Sequence, residues 1–227
     1  MSTRRSRPVR FSLLVALTVA LAGVACSGDD DDSGGRVDEP DGASLVEPFN
    51  AAAEEAYEAA GSDRQEDFTR GVAETGCFVL DEAGAVAVAD ALGVDDPDGA
   101  ELAGDGFISG PPDDRELLVC PISLAGVDEN VGVNAGTLDG DRAEVLQDMR
   151  RGAELNDDEI EEVDGEAPGL DGDHVLAVAR DGATQLVWVD GGFGVSLTVP
   201  DDVADAEAGF RALPVLVDAV AASLAGS

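Results

Sequence analysis

The sequence predicts an α+β fold: an antiparallel sheet of five to six strands with helices on one face and one disulfide. Three observations lead to this prediction. Asp-Gly turns join β-rich runs in the C-terminal third, and such turns are the strongest short-range signal for antiparallel hairpins. Segments with helical spacing and cap residues alternate with the strand-like runs. Two cysteines, Cys77 and Cys120, lie among these predicted helices and strands and can pair.

The first two helices are predicted from their composition and their end residues. Residues 50–60 are rich in Ala and Glu, which favour a helix, and Gly61 ends the run. A second helix is expected to begin at Asp81, because this side chain can accept hydrogen bonds from unpaired backbone N–H groups. Apolar residues then recur at helical spacing until Gly93, a typical stop signal. After this helix, 106–109, 115–122 and 130–137 are predicted strands.

The second half repeats this order of helix, strands and helix. Asp141 and Glu144 open a third helix with an apolar stripe, and Gly152 is expected to end it. Three strands follow as an antiparallel meander with two Asp-Gly turns; they cover 174–180, 184–189 and 193–199. The last helix covers 203–225, and Pro214 is expected to kink it or to begin a second helix there.

The strand at 184–189 is predicted to be central in the sheet. Leu186 and Trp188 lie on one side of it, while Val187 and Val189 lie on the other, so both sides are apolar. We therefore interpret Trp188 as a core residue and not as a platform for a ligand.

The N-terminus has the anatomy of a secretory signal. Residues 1–10 are basic and residues 11–24 are largely apolar, a run too short to span a membrane. Small residues then lead directly to Cys26, and the segment 22–26 (Ala-Gly-Val-Ala-Cys) resembles the lipobox of bacterial lipoproteins. The resemblance implies that residues 1–25 are a lipoprotein signal peptide and that Cys26 receives the lipid; ordinary secretion with an unrelated Cys26 is the alternative.

The stretch 26–48 is predicted to be an acidic, disordered tether. Acids and glycines dominate it, so it has little apolar surface to bury. The remaining 49–227 suits a single extracytoplasmic α+β domain, and 44 % hydrophobic residues suffice for a core. With 13 Arg, no Lys and 49 acids, the chain carries a net charge of −36. This charge excludes nucleic acid as a partner, because binding phosphate requires a basic surface.

Cys77 and Cys120 are predicted to form the disulfide. If Cys26 carries the lipid, these two thiols are left, and in an oxidising compartment they most simply pair. Closing this loop of 44 residues is worth about 4 kcal/mol of stability on the chain-entropy description. A metal or redox site is the alternative, but no CxxC spacing is present and His174 is the one His in the chain.

Residues 76–225 resemble a family. The sequence Cys-Phe-Val-Leu-Asp-Glu-Ala at 77–83 runs into a helix and is followed by a second Cys in a strand. A helix, a three-stranded meander and an amphipathic helix come after it. This order is similar to small actinobacterial lipoproteins of unknown function and, more distantly, to the extracytoplasmic sensor domains of mycobacterial serine/threonine kinases. The resemblance implies a non-catalytic envelope protein with a sensor-like domain.

No motif for catalysis is present, so we predict no catalytic residues, no cofactor and no enzyme activity. The segment 106–110 places its Ser wrongly for a nucleophile elbow, and Walker A, GxGxxG and HExxH motifs are absent. His174 is interpreted as a strand-edge residue. A hydrolase that uses dispersed carboxylates is a weaker alternative, because 49 acids make chance pairs common.

Two acidic clusters suggest Ca²⁺ as a further alternative, although neither matches the EF-hand pattern and we assign no metal ligand. The clusters are Asp95, Asp96, Asp98, Glu101 and Asp105, and Asp157, Asp158, Glu159, Glu161, Glu162, Asp164 and Glu166. The simpler interpretation is a solvated, mutually repulsive surface.

The sequence thus predicts a lipoprotein anchored through Cys26 at the outer face of the cell membrane. Its domain is expected to work by binding or sensing, without catalysis. The partner is an unidentified ligand or envelope protein, uncharged or cationic on electrostatic grounds. A Ca²⁺-binding structural envelope protein is the alternative.

Overall fold

A computed structural model describes residues 39–60, 72–103, 106–109, 117–138, 140–155 and 158–226. Helices and strands follow one another along these residues in the order α1 (Gly42–Ala60), β1 (Val72–Thr75), α2 (Glu82–Leu92), β2 (Glu101–Leu102), β3 (Gly106–Ser109), β4 (Leu117–Ser123), β5 (Val131–Thr137), α3 (Arg142–Leu155), β6 (Glu161–Glu162), β7 (Val175–Arg180), β8 (Ala183–Asp190), β9 (Phe193–Pro200) and α4 (Ala206–Ala225). Short 3₁₀ turns lie at Pro97–Gly99 and Gly172–His174.

All strand pairs in the described residues are antiparallel and belong to one open sheet. The order is β1-β3-β4-β5-β9-β8-β7-β6, and β2 pairs with β4. This confirms the α+β class, but the strand count of five to six was too low. Seven strands have four residues or more, and two have only two residues. The missed strands β1, β2 and β6 are too short to show an alternating pattern in the sequence.

Three helices cover one face of the sheet, and the fourth lies on the other. Side chains of α1, α2 and α4 form the main core with Trp188, Phe193 and Leu197. In contrast, Leu146 of α3 packs with Leu176, Val178, Val187 and Val189 on the second face. The expectation of helices on one face therefore fails for α3. The reason is that β7 and β8 are apolar on both faces, so their second face also needs a cover.

Helix α1 begins at Gly42, eight residues before the predicted start, so that residues 42–48 of the expected tether belong to a helix. Leu45, Phe49 and Ala53 recur every four residues, and all three are buried in the main core. The ring of Phe49 lies 5.5 Å from the rings of Phe78 and Phe193, measured between centroids. This packing stabilises a helix in residues 42–48, although the acidic and Gly-rich composition of the N-terminal stretch had indicated disorder.

The other helix ends agree only in part with the predictions. The cap predicted for α2 is confirmed, since the Asp81 carboxylate accepts a hydrogen bond from Gly84 N–H and Gly93 has a positive φ of 79°. Helix α3 runs past Gly152 to Leu155, because Ala153 is buried. Helix α4 is continuous through Pro214, with buried residues on both sides of the proline.

Among the described residues, α4 is the one helix long and apolar enough to cross a membrane. Half of its most apolar window is buried inside the domain. Its buried residues, including Leu213, Leu216 and Val220, pack in the main core. We therefore assign α4 as a core helix of the domain.

The predicted disulfide is present. Cys77, in the segment between β1 and α2, is bonded to Cys120 of β4, and their Cα atoms are 5.7 Å apart. As predicted, the bond connects the segment that leads into α2 with a strand of the sheet.

Candidate functional site

The second face of the sheet changes character beside α3. On β5 and β9 the register places Gly132 opposite Thr198, and Asn134 opposite Ser196. The Asn134 amide Nδ2 donates a hydrogen bond to Ser196 Oγ at 2.9 Å. Small and polar side chains thus replace the apolar ones of β7 and β8, and no helix of the described residues packs its apolar stripe on them.

A groove of about 150 Å³ lies between α3 and this part of the sheet. Val145 and Met149 of α3 and Val187 of β8 give it an apolar side. Asn134 and Ser196 lie at its polar side, together with Gln185 of β8. The groove therefore offers one apolar recess next to amide and hydroxyl groups, a combination that small binding sites use for affinity and orientation.

Gly194 of β9 leaves room for the Leu138 side chain, which forms one wall of the groove. A Cβ atom at this position would lie 2.2 Å from Leu138 Cδ1, which lines the same groove. Because glycine has no Cβ, the Leu138 side chain can lie directly against β9. A side chain at residue 194 would have to move Leu138.

The sheet end where β5 begins and β9 finishes is strongly acidic. Exposed carboxylates there come from the β4–β5 loop and from the turns after β7 and β9; they are Asp128, Glu129, Asp181, Asp201 and Asp202. Arg180 ends β7 at the same place, but its guanidinium pairs with Asp158 and lies 3.5 Å from Asp181. A ligand lying along β5 and β9 would therefore meet negative charge.

A second cluster lies at the opposite end of β8, around the one histidine of the chain. The Glu39 Oε1 atom accepts a hydrogen bond from Trp188 Nε1 at 2.6 Å and lies 3.2 Å from His174 Nδ1. Its Oε2 atom accepts from Asp171 N–H at 3.1 Å. On the other side of the ring, His174 Nε2 is 3.7 Å from Asp190 Oδ1. Both ring nitrogens of His174 thus face carboxylates of this chain.

These carboxylates raise the pKa of His174. Partial burial alone would lower it, but the hydrogen bond to Glu39 and the negative charges of Glu39, Asp190 and Asp171 outweigh that effect. An open cavity of about 450 Å³ lies beside the ring and includes Asp141 and Asp173 in its lining. The cluster therefore favours a charged imidazole.

His174 is the last residue of the 3₁₀ turn directly before β7, whereas the sequence prediction made it the first residue of the strand. Its partner Glu39 was not predicted. Glu39 was assigned to the disordered tether, so no contact with His174 was expected. A carboxylate 135 residues away gives no local signal of such a contact. Trp188 is a core residue, as predicted, yet its indole N–H also reaches Glu39.

The remaining predicted site residues are distributed as follows. Cys26 lies outside the described residues, as do Asp105 and Asp157 of the acidic clusters. Within the described part of the chain, no three His, Cys, Asp or Glu side chains are grouped to hold a metal ion. Two acids of the second cluster pair with arginines instead, Asp158 with Arg180 and Glu162 with Arg150.

Comparison of the chain with protein-family models, with curated proteins and with solved structures finds no match.

Proposed function

We propose that this protein is a lipid-anchored, extracytoplasmic binding module that takes a basic peptide segment of another envelope protein. One apolar side chain of that segment occupies the groove, and its backbone runs along β5 and β9. The observation that carries the proposal is the β5–β9 face that no helix of the described residues covers and that α3 borders with an apolar recess. The module performs no chemistry on its ligand.

The size of the groove favours one side chain over a whole small molecule. Ligand pockets that enclose a small molecule usually have about 300–1,000 Å³. A recess near 150 Å³ is the size that accommodates a benzene-sized group. Protein interfaces commonly depend on a few apolar anchors of this size in such recesses. The side-chain amides of Asn134 and Gln185 line the same groove and can form hydrogen bonds with a peptide backbone.

Charge complementarity selects a basic segment. The chain carries −36, and each of the five arginines among the described residues already contacts an oxygen of this chain. The acidic end of the sheet continues the line of β5 and β9 beyond the groove. Such a field accelerates the encounter with a cationic partner and repels an anionic one.

The anchor follows from the signal anatomy. Twelve residues lie between Cys26 and Glu39, and a random coil of this length would span about 20 Å. A domain held at this distance from the membrane would meet segments of other envelope proteins. Replacement Cys26→Ala is expected to release the protein from membranes, with loss of metabolic labelling by fatty acid. Continued labelling of this variant would contradict the assignment of Cys26.

The groove is tested with a defined peptide. The probe is an N-acetylated, C-amidated pentapeptide with one Leu between two pairs of Lys, and its matched control carries Ala in place of Leu. Calorimetry should show binding of the Leu peptide, at least tenfold weaker binding of the Ala peptide, and weaker binding as NaCl increases. The same peptide with Glu in place of Lys should not bind.

A pair of variants locates the binding site. Ser196→Leu fills the polar side of the groove and should weaken binding of the Leu peptide at least tenfold. Asn50→Leu also replaces a polar side chain by Leu, at an exposed site of α1 on the other face of the sheet, and should change the dissociation constant less than threefold. Equal effects of the two variants, or equal affinities for the Leu and Ala peptides, would contradict the proposed groove.

A further inference from the structure

The segment that leads into α1, residues 39–43, is held against the end of β8 by polar contacts; we call it the N-terminal strap. At its first residue, Glu39 binds Trp188 Nε1 and Asp171 N–H, as described above. Three residues later, Gly42 N–H donates a hydrogen bond to Asp190 Oδ2 at 2.8 Å. Both attachments therefore depend on a carboxylate, one on the strap and one on β8.

The same two carboxylates lie on either side of His174. Glu39 Oε1 is 3.2 Å from its Nδ1 atom, and Asp190 Oδ1 is 3.7 Å from its Nε2 atom. A neutral imidazole has one N–H and one acceptor nitrogen, so it can donate to only one of these carboxylates. The second carboxylate would then face a lone pair. A charged imidazolium donates from both nitrogens and also balances the negative charges.

We propose that His174 is a protonation-dependent clamp, which fastens the N-terminal strap to the end of β8 when its imidazole is charged and loosens the strap when the imidazole is neutral. The surroundings come from four elements: Glu39 from the strap, Asp190 from β8, Asp171 and Asp173 from the 3₁₀ turn and its entry, and Asp141 and Arg142 from the start of α3. Five carboxylates and one guanidinium thus surround the His174 ring. Arg142 donates from Nε to the Val175 carbonyl at 2.6 Å.

The direction of the pH effect follows from the charge of His174 and of the carboxylates beside it. Because the folded protein favours the charged His174, the clamp contributes fully below the ordinary pKa of histidine, about 6.5. That contribution is lost as the pH rises through the higher pKa of the folded state. Raising the pH from 6 to 8.5 should therefore loosen the strap, through which residues 1–38 join the domain.

The chain carries its own reporter for this change. Trp188 is the one tryptophan, and its indole N–H is bonded to the strap through Glu39. His174 is the one histidine, so its ring gives a single set of NMR resonances. Both signals can be followed in the full-length protein between pH 5.5 and 9, together with hydrogen exchange at Gly42 corrected for the intrinsic rate.

We expect one transition, with the same midpoint above pH 6.5, in the His174 resonances, the Trp188 emission and the protection of Gly42. Glu39→Gln should lower the pKa of His174 and remove the pH dependence of the emission. Glu47→Gln makes the same charge change at an exposed site of α1 and should leave the transition unchanged. His174→Gln should make emission and protection independent of pH in this range.

Two results would overturn the clamp. The first is a Trp188 emission and a Gly42 protection that stay constant while His174 titrates. The second is a pKa of His174 at or below 6.5 that Glu39→Gln leaves unchanged. Circular dichroism of each variant at pH 6 shows whether it is folded, and Glu39→Gln keeps the size of the side chain and an oxygen that can accept from Trp188 Nε1. The clamp and the peptide groove use different residues, so either can fail without the other.

Discussion

Replacement Phe49→Ala tests whether the helix that begins at Gly42 is an integral part of the domain. Phe49 has no exposed surface and contacts two aromatic rings, Phe78 and Phe193, each with a centroid distance of 5.5 Å. Truncation of a buried Phe costs about 3–5 kcal/mol, because the transfer free energy is lost and a cavity remains. The ring pairs place this site toward the upper end of that range.

The assay is urea unfolding followed by the emission of Trp188. A domain of this size has about 5–15 kcal/mol of stability, so the expected loss removes a large fraction of it. Glu47→Ala, on the exposed side of the same helix, is the control and should change the free energy of unfolding by less than 0.5 kcal/mol. A loss below about 1 kcal/mol for Phe49→Ala would refute the integration of α1 into the core.

Three further predictions concern stability. Replacing Cys77 and Cys120 together by Ser should lower the free energy of unfolding by about 4 kcal/mol, measured by urea unfolding of the oxidised protein; an unchanged value would show that the bond adds nothing. Gly191→Ala should lower the melting temperature more than Gly182→Ala. Both glycines have a positive φ, but only at residue 191 would the new Cβ meet backbone, 2.2 Å from Ala43 N. Equal melting temperatures of the two variants would contradict this close approach. Partial desolvation raises the pKa of Asp218 although its side chain is exposed on α4, so Asp218→Asn should raise the melting temperature only slightly at pH 7; this gain should disappear in acid, where the native carboxyl is protonated, and a gain that persists at low pH would exclude this cause.

Local signals in the sequence were sufficient for most of the secondary structure. The cap of α2 depends on Asp81 and Gly93, which act within one turn of the helix, and the meander depends on Asp-Gly turns between adjacent strands. The disulfide followed from counting thiols in an oxidising compartment. The helix cap and the meander depend on residues that are close in the sequence, and the disulfide pair is the one left once Cys26 is set aside. These features can therefore be predicted from a single sequence.

The predictions that were wrong concern features that depend on contacts between residues far apart in the sequence. The start of α1 is determined by the burial of Leu45 and Phe49 under the sheet, whereas its local composition resembles a linker. The position of α3 depends on which face of β7 and β8 remains open, which requires knowing the strand order. Helix propensity and charge therefore predicted the elements but not how they pack.

The candidate site was not predictable from motifs. The groove is formed because the register of β5 and β9 brings Asn134 next to Ser196, 62 residues apart. The strap contact joins Glu39 and His174 across 135 residues. Neither pair has a fixed spacing along the chain, because each depends on how the whole sheet is assembled. The charge of −36, in contrast, is a property of composition, and the proposal of a basic partner depends on it.

The most direct test of the binding module is a map of where the peptide binds. Backbone amide shifts of the labelled protein are recorded during titration with the Leu-containing basic pentapeptide at low salt. We expect the largest changes on β5, β9 and the groove side of α3, including Asn134, Ser196 and Met149. Shifts confined to the exposed acids at the sheet ends, with the groove residues unmoved and no difference for the Ala peptide, would contradict it.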